Sequence, residues 1–502
     1  MNAGISKNLS GQTSGEEASL RAHGSAADGI GGRTIYRVVS NFQLCCSMLL
    51  RMDKGAHFHR CDFQVHTPRD ANWIGQPATT PAERAEYAAE LIQACRHRGL
   101  AAIAITDHHD FAFFPYVRQA AAAEVDANGK PIPPQERIVV FPGVELTLSS
   151  PPCQALLLMS ADFDEAKLPD VLTTLTITST PETESKLASV EQVSPTAVTG
   201  LNDLEAKLTQ QKFMRGRFII LPNVTEGGHK TLFRDGFAPH YKEMHCVGGY
   251  VDGDYNAKTS VGKRNILEGR QQNNGYQPIA VLQTSDSRTR DHSTLGSHVT
   301  WIKWAEPTAE ALRQACLAKE SRLSLTQPEL PSVWITSITV SNSKFLGRID
   351  LEFNQQYNAI IGGRGTGKST ILEYLRWGLC DEVVPSEDLD SVQGKRRSLI
   401  ENTLNAFDGD VHVMFLVNDV PHIVKRSSKK KDIQLKIGAG AFVHATEEQV
   451  RTLLPIQAYS QKQLSSVAVR VEELRRFVEL PIKDTLSALA SEARDLQAKA
   501  RT

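Results

Sequence analysis

The sequence has no C-x-x-C pair. Its eight cysteines, Cys45, Cys46, Cys61, Cys95, Cys153, Cys246, Cys316 and Cys380, are scattered along the chain. That spacing excludes a zinc ribbon, argues against a disulfide framework, and suits a reducing cytoplasm. No apolar run approaches the ~20 residues of a transmembrane helix, so no membrane partner is expected. Phe42–Leu50 is the nearest thing to a signal core, but it lies far from the start and behind Glu16 and Glu17. Charge of one sign is lacking too. The net charge is −1, so any contact with nucleic acid must come from a local patch. At 502 residues the chain is too long for one core.

What is present is a glycine-rich run, Gly362–Gly363–Arg364–Gly365–Thr366–Gly367–Lys368–Ser369. It fits G-x-x-x-x-G-K-[ST], the phosphate-binding loop of P-loop nucleotide hydrolases. Tyr357–Ile361 before it reads as a short buried strand, and Thr370–Trp377 after it as the opening of a helix. Glycines let backbone N–H groups curl around a β-phosphate, and the helix dipole adds positive character. Lys368 would reach the β- and γ-phosphates, and Ser369 would ligate Mg²⁺. ATP and Mg²⁺ are the expected cofactors.

Residues 1–52 are rich in Gly, Ser, Ala and Asn without periodicity and read as a disordered extension, with Met52 as an alternative start. From His57, short apolar runs alternate with helical stretches: Arg60–His66, Pro81–Arg98, Leu100–Thr106, Phe111–Val125 and Arg137–Phe141. This implies βαβ units and a mainly parallel sheet or barrel across 53–324, with a flexible Thr- and Ser-rich insertion at about 170–202. A linker at 325–332 precedes a second α/β domain at 333–480. Residues 481–502 carry the helical spacing of a coiled coil that has only begun.

The first domain gathers His and carboxylates at predicted strand ends: Asp62, Gln64 and His66; Asp107, His108 and His109; Glu145; then His229 and Asp286. Residues arriving in phase with strands converge at one end of a barrel and there suit metal ligation. At these positions the chain resembles the PHP (polymerase and histidinol phosphatase) family. The family's T-D-H is Thr106–Asp107–His108, and its G-x-E is Gly143–Val144–Glu145. Its D-x-H-x-H reads Asp62–Phe63–Gln64–Val65–His66, and its closing S-D-x-H reads Ser285–Asp286–Ser287–Arg288. Two further family histidines, near Cys153–Gln154 and near Asn223, are absent; His229 is the candidate to stand in for the second. The resemblance implies a distorted (β/α)₇ barrel hydrolysing phosphoesters with a multinuclear metal centre. Here His66, His108, Glu145 and Asp286, with His229, Asp62 or Asp70, would hold one or two Mn²⁺ or Zn²⁺ ions, with Gln64 and Arg288 bordering the pocket.

The second domain resembles the N-terminal lobe of ABC/SMC/Rad50-like ATPases. The strands Ile335–Val340 and Ile349–Phe353 form a paired lead-in, and Thr370 follows the loop. Ala458–Tyr459–Ser460–Gln461–Lys462–Gln463 resembles the Q-loop, which implies that Gln461 reaches the Mg²⁺ and the attacking water. The hairpin tip Lys429–Lys430–Lys431 could touch nucleic acid or simply be solvated. The chain shows no L-S-G-G-type stretch and no apolar strand ending in Asp–Glu. A truncated gene, a fragment, or completion by another chain is therefore expected, with turnover barely above background. Once completed, nucleotide-bound domains would pair as a homodimer.

A PHP-type barrel followed by such an ATPase is similar to the TrlF-like PHP domain-associated ATPases of bacteria, a family associated with nucleic-acid repair and phage defence. Three readings follow: an ATP-gated phosphoesterase acting on DNA or RNA, an ATP-driven sensor with a degenerate barrel, or a small-molecule phosphatase with a regulatory ATPase.

Overall fold

The computed structural model describes residues 55–149, 152–177, 198, 200–381, 392–456, 458–459 and 482–500. The expected extension at 1–52, most of the expected insertion, and Gln461 lie outside the described residues.

The first part is a curled, mixed α/β arrangement. Its strands are β1 (His57–Val65), β2 (Ala102–Ile105), β3 (Val139–Thr147), β4 (Gln154–Met159), β5 (Phe218–Pro222), β6 (Gly248–Asp252), β7 (Ala280–Thr284), β8 (Thr300–Trp304) and β9 (Leu323–Ser324). One sheet has the order β5-β4-β3-β2-β1-β8-β9, and β6-β7 form a second. Single bridges join Asn223 to Tyr250 and Val65 to Ser287, linking the two sheets at both sides. The expectation of a mainly parallel sheet needs correction. β1, β2 and β3 run parallel, as do β6 and β7, but β4 is antiparallel to both its neighbours and β8 is antiparallel to β1. The cause is the short link between Thr147 and Gln154, which leaves no room for a crossover helix.

Side chains of β2 and β4 alternate between two cores. Ala102 and Ala104 face Cys61, Phe63, Phe141, Leu156, Leu158 and Trp304, whereas Ile103 and Ile105 face the outer helices. The two alanines keep the inner face shallow, which leaves space for the Phe63, Phe141 and Trp304 rings to meet one another. The helix Pro81–His97 packs Tyr87, Leu91 and Cys95 inward, one residue per turn on a single face. It starts from a Thr80–Glu83 capping box with Pro81 in the first turn. Gly143 sits where strands press closest: a Cβ there would lie 2.8 Å from Leu158 Cδ2, 2.9 Å from Thr106 Cγ2 and 3.0 Å from Ile105 O.

The later part is an antiparallel sheet, β11-β10-β12-β13-β14-β15. It is built from β10 (Val333–Val340), β11 (Ile349–Glu352), β12 (Asp410–Val417), β13 (Val420–Ser427), β14 (Asp432–Ile437) and β15 (Val443–His444). The helix Lys368–Gly378 packs on it, with Gly378 held against Val411 and Val413. The strand expected at Tyr357–Ile361 does not form. Tyr357 is 86% and Ile361 91% exposed. Among the described residues no strand pairs with this run, so its backbone has no ladder and its apolar side chains no covering face. Lys483–Ala500 is helical, as expected. No described helix is long and apolar enough to cross a membrane.

Candidate metal centre and nucleotide loop

The tip of β1 is fixed from two sides. His66 N donates to Ser287 O at 2.9 Å, Ser287 N donates to Gln64 O at 3.2 Å, and Thr106 N donates to Val65 O at 3.0 Å. His108 forms a parallel bridge with Glu145. These backbone links bring His66, His108, Glu145 and Asp286 together, as the sequence predicted. Asp286 adopts a left-handed backbone (φ 47°) just beyond β7, a conformation that Asp tolerates better than most residues.

The imidazoles are oriented by Asp70. Its Oδ2 lies 3.0 Å from His66 Nδ1 and 2.8 Å from His108 Nδ1, and also accepts the His108 backbone N–H at 2.9 Å. With three donors on one oxygen, Asp70 holds both rings by their Nδ1 atoms and turns both Nε2 atoms the other way. The three residues offer ligand atoms within 4.8 Å of one another, but the crowding of Oδ2 makes Asp70 an orienting group rather than a ligand. On the Nε2 side, His66 faces Glu145 Oε2 at 3.4 Å and Asp286 Oδ1 at 3.2 Å. His108 Nε2 faces Glu145 Oε2 at 3.5 Å. His66 Nε2 is buried and completes no hydrogen bond, and the Asp286 Oδ1 that it faces is paired with Arg288 at 2.8 Å. Buried ligand atoms ~3 Å apart match two ligands sharing an ion at bonds of ~2.0–2.2 Å. The residues therefore fit one divalent metal. Tyr250 Oη donates to Glu145 Oε1 at 2.9 Å, leaving Oε2 for the centre.

The electrostatics are tight. Burial and the Arg288 charge oppose protonation of His66, yet Asp70 and Asp286 hold its imidazole well above the usual value. Burial would raise Glu145 and Asp286, but the facing His and Arg groups hold both carboxyls below their ordinary range. Burial, reinforced by Asp70, pushes Asp107 up to about 7, and its oxygens accept from Thr67 N and Oγ1. Burial, then the charges of Glu145 and Asp286, push Asp252 up to about 6.

Other sequence candidates fare differently. His229 is exposed in the turn after β5, outside the buried cluster, because Asn223 occupies the strand end and donates to Asp252 Oδ2. Asp62 spends its oxygens on Ser285 N, at 3.1 Å, and Gly296 N, at 2.9 Å, so it braces the loop beyond β7 and is not a ligand. Gln64 lies within the cluster, its amide 3.4 Å from Glu145 and its oxygen accepting from Thr284 at 2.6 Å. Gln154 sits 3.1 Å from His108 Nε2. Arg288 does more than border the pocket: it reaches Asp70 at 3.0 Å, Asp286 at 2.8 Å and Glu145 at 3.6 Å. Sequence reasoning missed Tyr250 and Asp252. Both sit on β6, whose Gly248–Gly249–Tyr250 start carried no ligand pattern.

In the glycine-rich loop, Gly365 (φ +82°) and Gly367 (φ +88°) need the left-handed region that glycine allows. Lys368 opens the helix and donates its Nζ to Gly362 O at 2.7 Å and Gly363 O at 2.6 Å. Thr366 Oγ1 donates to Gly363 O at 3.0 Å. Arg364, Ser369 and Thr370 complete the loop and first turn.

Residues 337–500 match the family model described as AAA domain. This part of the chain is similar to AAA domains. An ATPase domain of this kind implies nucleotide and Mg²⁺. No curated protein sequence matches the chain. Three solved structures are similar in part. The lesion-specific endonuclease PfuEndoQ from Pyrococcus furiosus is 12% identical with a TM-score of 0.35, over 69% of this chain and 90% of that one. A protein from Bifidobacterium adolescentis described as a metal-dependent phosphoesterase is 10% identical with a TM-score of 0.26, over 45% of this chain and 86% of that one. A two-domain protein from Bacteroides vulgatus, described as containing a predicted PHP-like metal-dependent phosphoesterase, is 11% identical with a TM-score of 0.30, over 59% and 84%. Likeness at this level fixes neither fold nor function. The chain joins a buried cluster of His and carboxylate groups, gathered at one end of a curled sheet, to a segment that matches the AAA domain model.

Proposed function

We propose that residues 57–320 are a PHP-type, metal-dependent phosphoesterase on a distorted (β/α)₇ barrel, coupled to an ATP-binding AAA domain of the SMC/Rad50 kind and acting on nucleic acid. One observation carries the reading: the buried His66 Nε2, which completes no hydrogen bond and lies 3.2 Å from Asp286 Oδ1 and 3.4 Å from Glu145 Oε2. His66, Glu145 and Asp286 would hold the ion, with His108 adjoining through Glu145. When bound, a divalent ion there supplies Lewis-acid charge to a phosphoryl oxygen. Asp70 keeps both imidazoles facing the centre, and Tyr250 orients Glu145. In the AAA domain, Lys368 and the loop amides hold the nucleotide phosphates, Ser369 holds Mg²⁺, and Gln461 is proposed to approach the γ-phosphate. A C-terminal lobe, in cis or trans, would complete that site and permit nucleotide-dependent homodimers.

The test is hydrolysis by the full chain with Mn²⁺ of single- and double-stranded oligonucleotides beside p-nitrophenyl phosphate. Oligonucleotide cleavage lost in Glu145→Gln supports the proposal. Cleavage of the small ester alone refutes the nucleic-acid part. No cleavage in either, with no metal bound, favours the second reading of a sensor, which the amides at Gln64 and Gln154 and the guanidinium of Arg288 recommend.

A further inference from the structure

Arg288 is not a surface residue that happens to lie near the cluster. Its side chain is only 17% exposed, and its two terminal nitrogens engage three carboxylates: Asp70 Oδ1 at 3.0 Å, Asp286 Oδ1 at 2.8 Å and Glu145 Oε2 at 3.6 Å. Its backbone is fixed as well, since Arg288 O accepts from Ile74 N at 3.0 Å. A guanidinium has no lone pair to give a metal and does not lose its proton in proteins. Of the oxygens it holds, Asp286 Oδ1 and Glu145 Oε2 belong to the ion position described above, and Asp70 Oδ1 is the one a second ion would otherwise draw on. The donors at that position, His66 Nε2, Asp286 Oδ1 and Glu145 Oε2 with His108 Nε2 beside Glu145, each lie within 3.5 Å of another of the set and span one ion position rather than two.

We propose that the Arg288 guanidinium is a permanent cation standing in for one divalent ion, so that the centre takes a single exchangeable metal. The inference rests on the metal-centre reading above. A second ion would sit against a fixed positive charge and compete for oxygens already engaged.

The experiment counts metal in the dialysed full chain by elemental analysis, for wild type, Arg288→His, Arg288→Gln and Arg288→Lys, with circular dichroism as the check of folding. The expected result is one Mn²⁺ per wild-type chain and about one more in Arg288→His. Arg288→Lys, which keeps the charge, should stay at the wild-type count. In Arg288→Gln, calorimetry should show Mn²⁺ binding at least tenfold tighter. Two or more ions in the wild type overturn the proposal, as does an unchanged count and affinity in folded Arg288→His and Arg288→Gln. No ion in the wild type but one in Arg288→His upholds the replacement while refuting the phosphoesterase reading. One ion in every variant, with oligonucleotide cleavage intact, refutes the replacement and leaves the phosphoesterase reading standing.

Discussion

Asp70 Oδ2 meets the Nδ1 atoms of both His66, at 3.0 Å, and His108, at 2.8 Å. One carboxylate oxygen thereby sets the orientation of two rings that come from different strands, and the acidic groups opposite receive two Nε2 atoms.

Metal binding should strengthen with pH. Despite burial and Arg288, Asp70 and Asp286 hold His66 well above its ordinary value, so near neutrality the ring carries a proton that an ion must displace. Affinity for Mn²⁺ should rise by up to ~10-fold per pH unit until His66 has lost that proton. Calorimetry in two buffers of different ionisation heat reads this directly. Binding that neither releases protons nor varies with pH contradicts it.

Lys368→Ala should weaken ATP binding by about 10–100-fold, the equivalent of ~1.5–3 kcal/mol for a hydrogen bond to a charged group. Titration of both proteins with ATP and Mg²⁺ measures the ratio; equal affinities would mean that the loop is only a turn.

Gly143→Ala should destabilise the first part by about 1–3 kcal/mol through overpacking. The added methyl would meet Ile105 O at 3.0 Å, and a backbone oxygen cannot step aside as a side chain can. Chemical denaturation reports the change, and an unaltered midpoint would show that β2 and β3 are looser than described.

Asp252→Asn should stabilise the metal-free protein at neutral pH and not in acid. Burial, with Glu145 and Asp286, moves the Asp252 carboxyl from the usual 3.8 to about 6. The folded state therefore binds the proton more tightly than the unfolded one, and stability falls as pH rises from about 4 through about 6. Above that window Asn removes the cost; below it the two proteins should melt together. An equal gain at both pH values would assign the effect to packing.

The sequence carried the cluster well where a motif survived. Thr106–Asp107–His108 and Gly143–Val144–Glu145 named His108 and Glu145, because short β-strands place those residues at one end whatever the outer helices do. It misjudged His229, since a histidine six residues beyond the expected place falls in the turn and not at the strand end. Arg288 was read as a border residue because charge alone does not reveal which way a long side chain folds; the link from Ser287 to Gln64 and His66 decides that. Asp252 was invisible, as Asp252–Gly253 in sequence reads as an ordinary turn. The missing strand at Tyr357–Ile361 has a different cause. Its apolar pattern is right for a strand, but strand formation needs a partner, and local sequence says nothing about one.

That unpaired run also lies beside an apolar groove. Trp334, Phe353, Leu372, Leu375 and Pro455 line a groove together with Lys368 and Ser369, and Tyr357 and Ile361 stand almost fully in water nearby. An oily face of this kind beside a polar loop is expected to adhere to other apolar surfaces, including other copies of the chain. Handling at low concentration with a mild detergent therefore belongs to any assay of this chain, because a nucleotide titration performed on clumped protein would read the clumping.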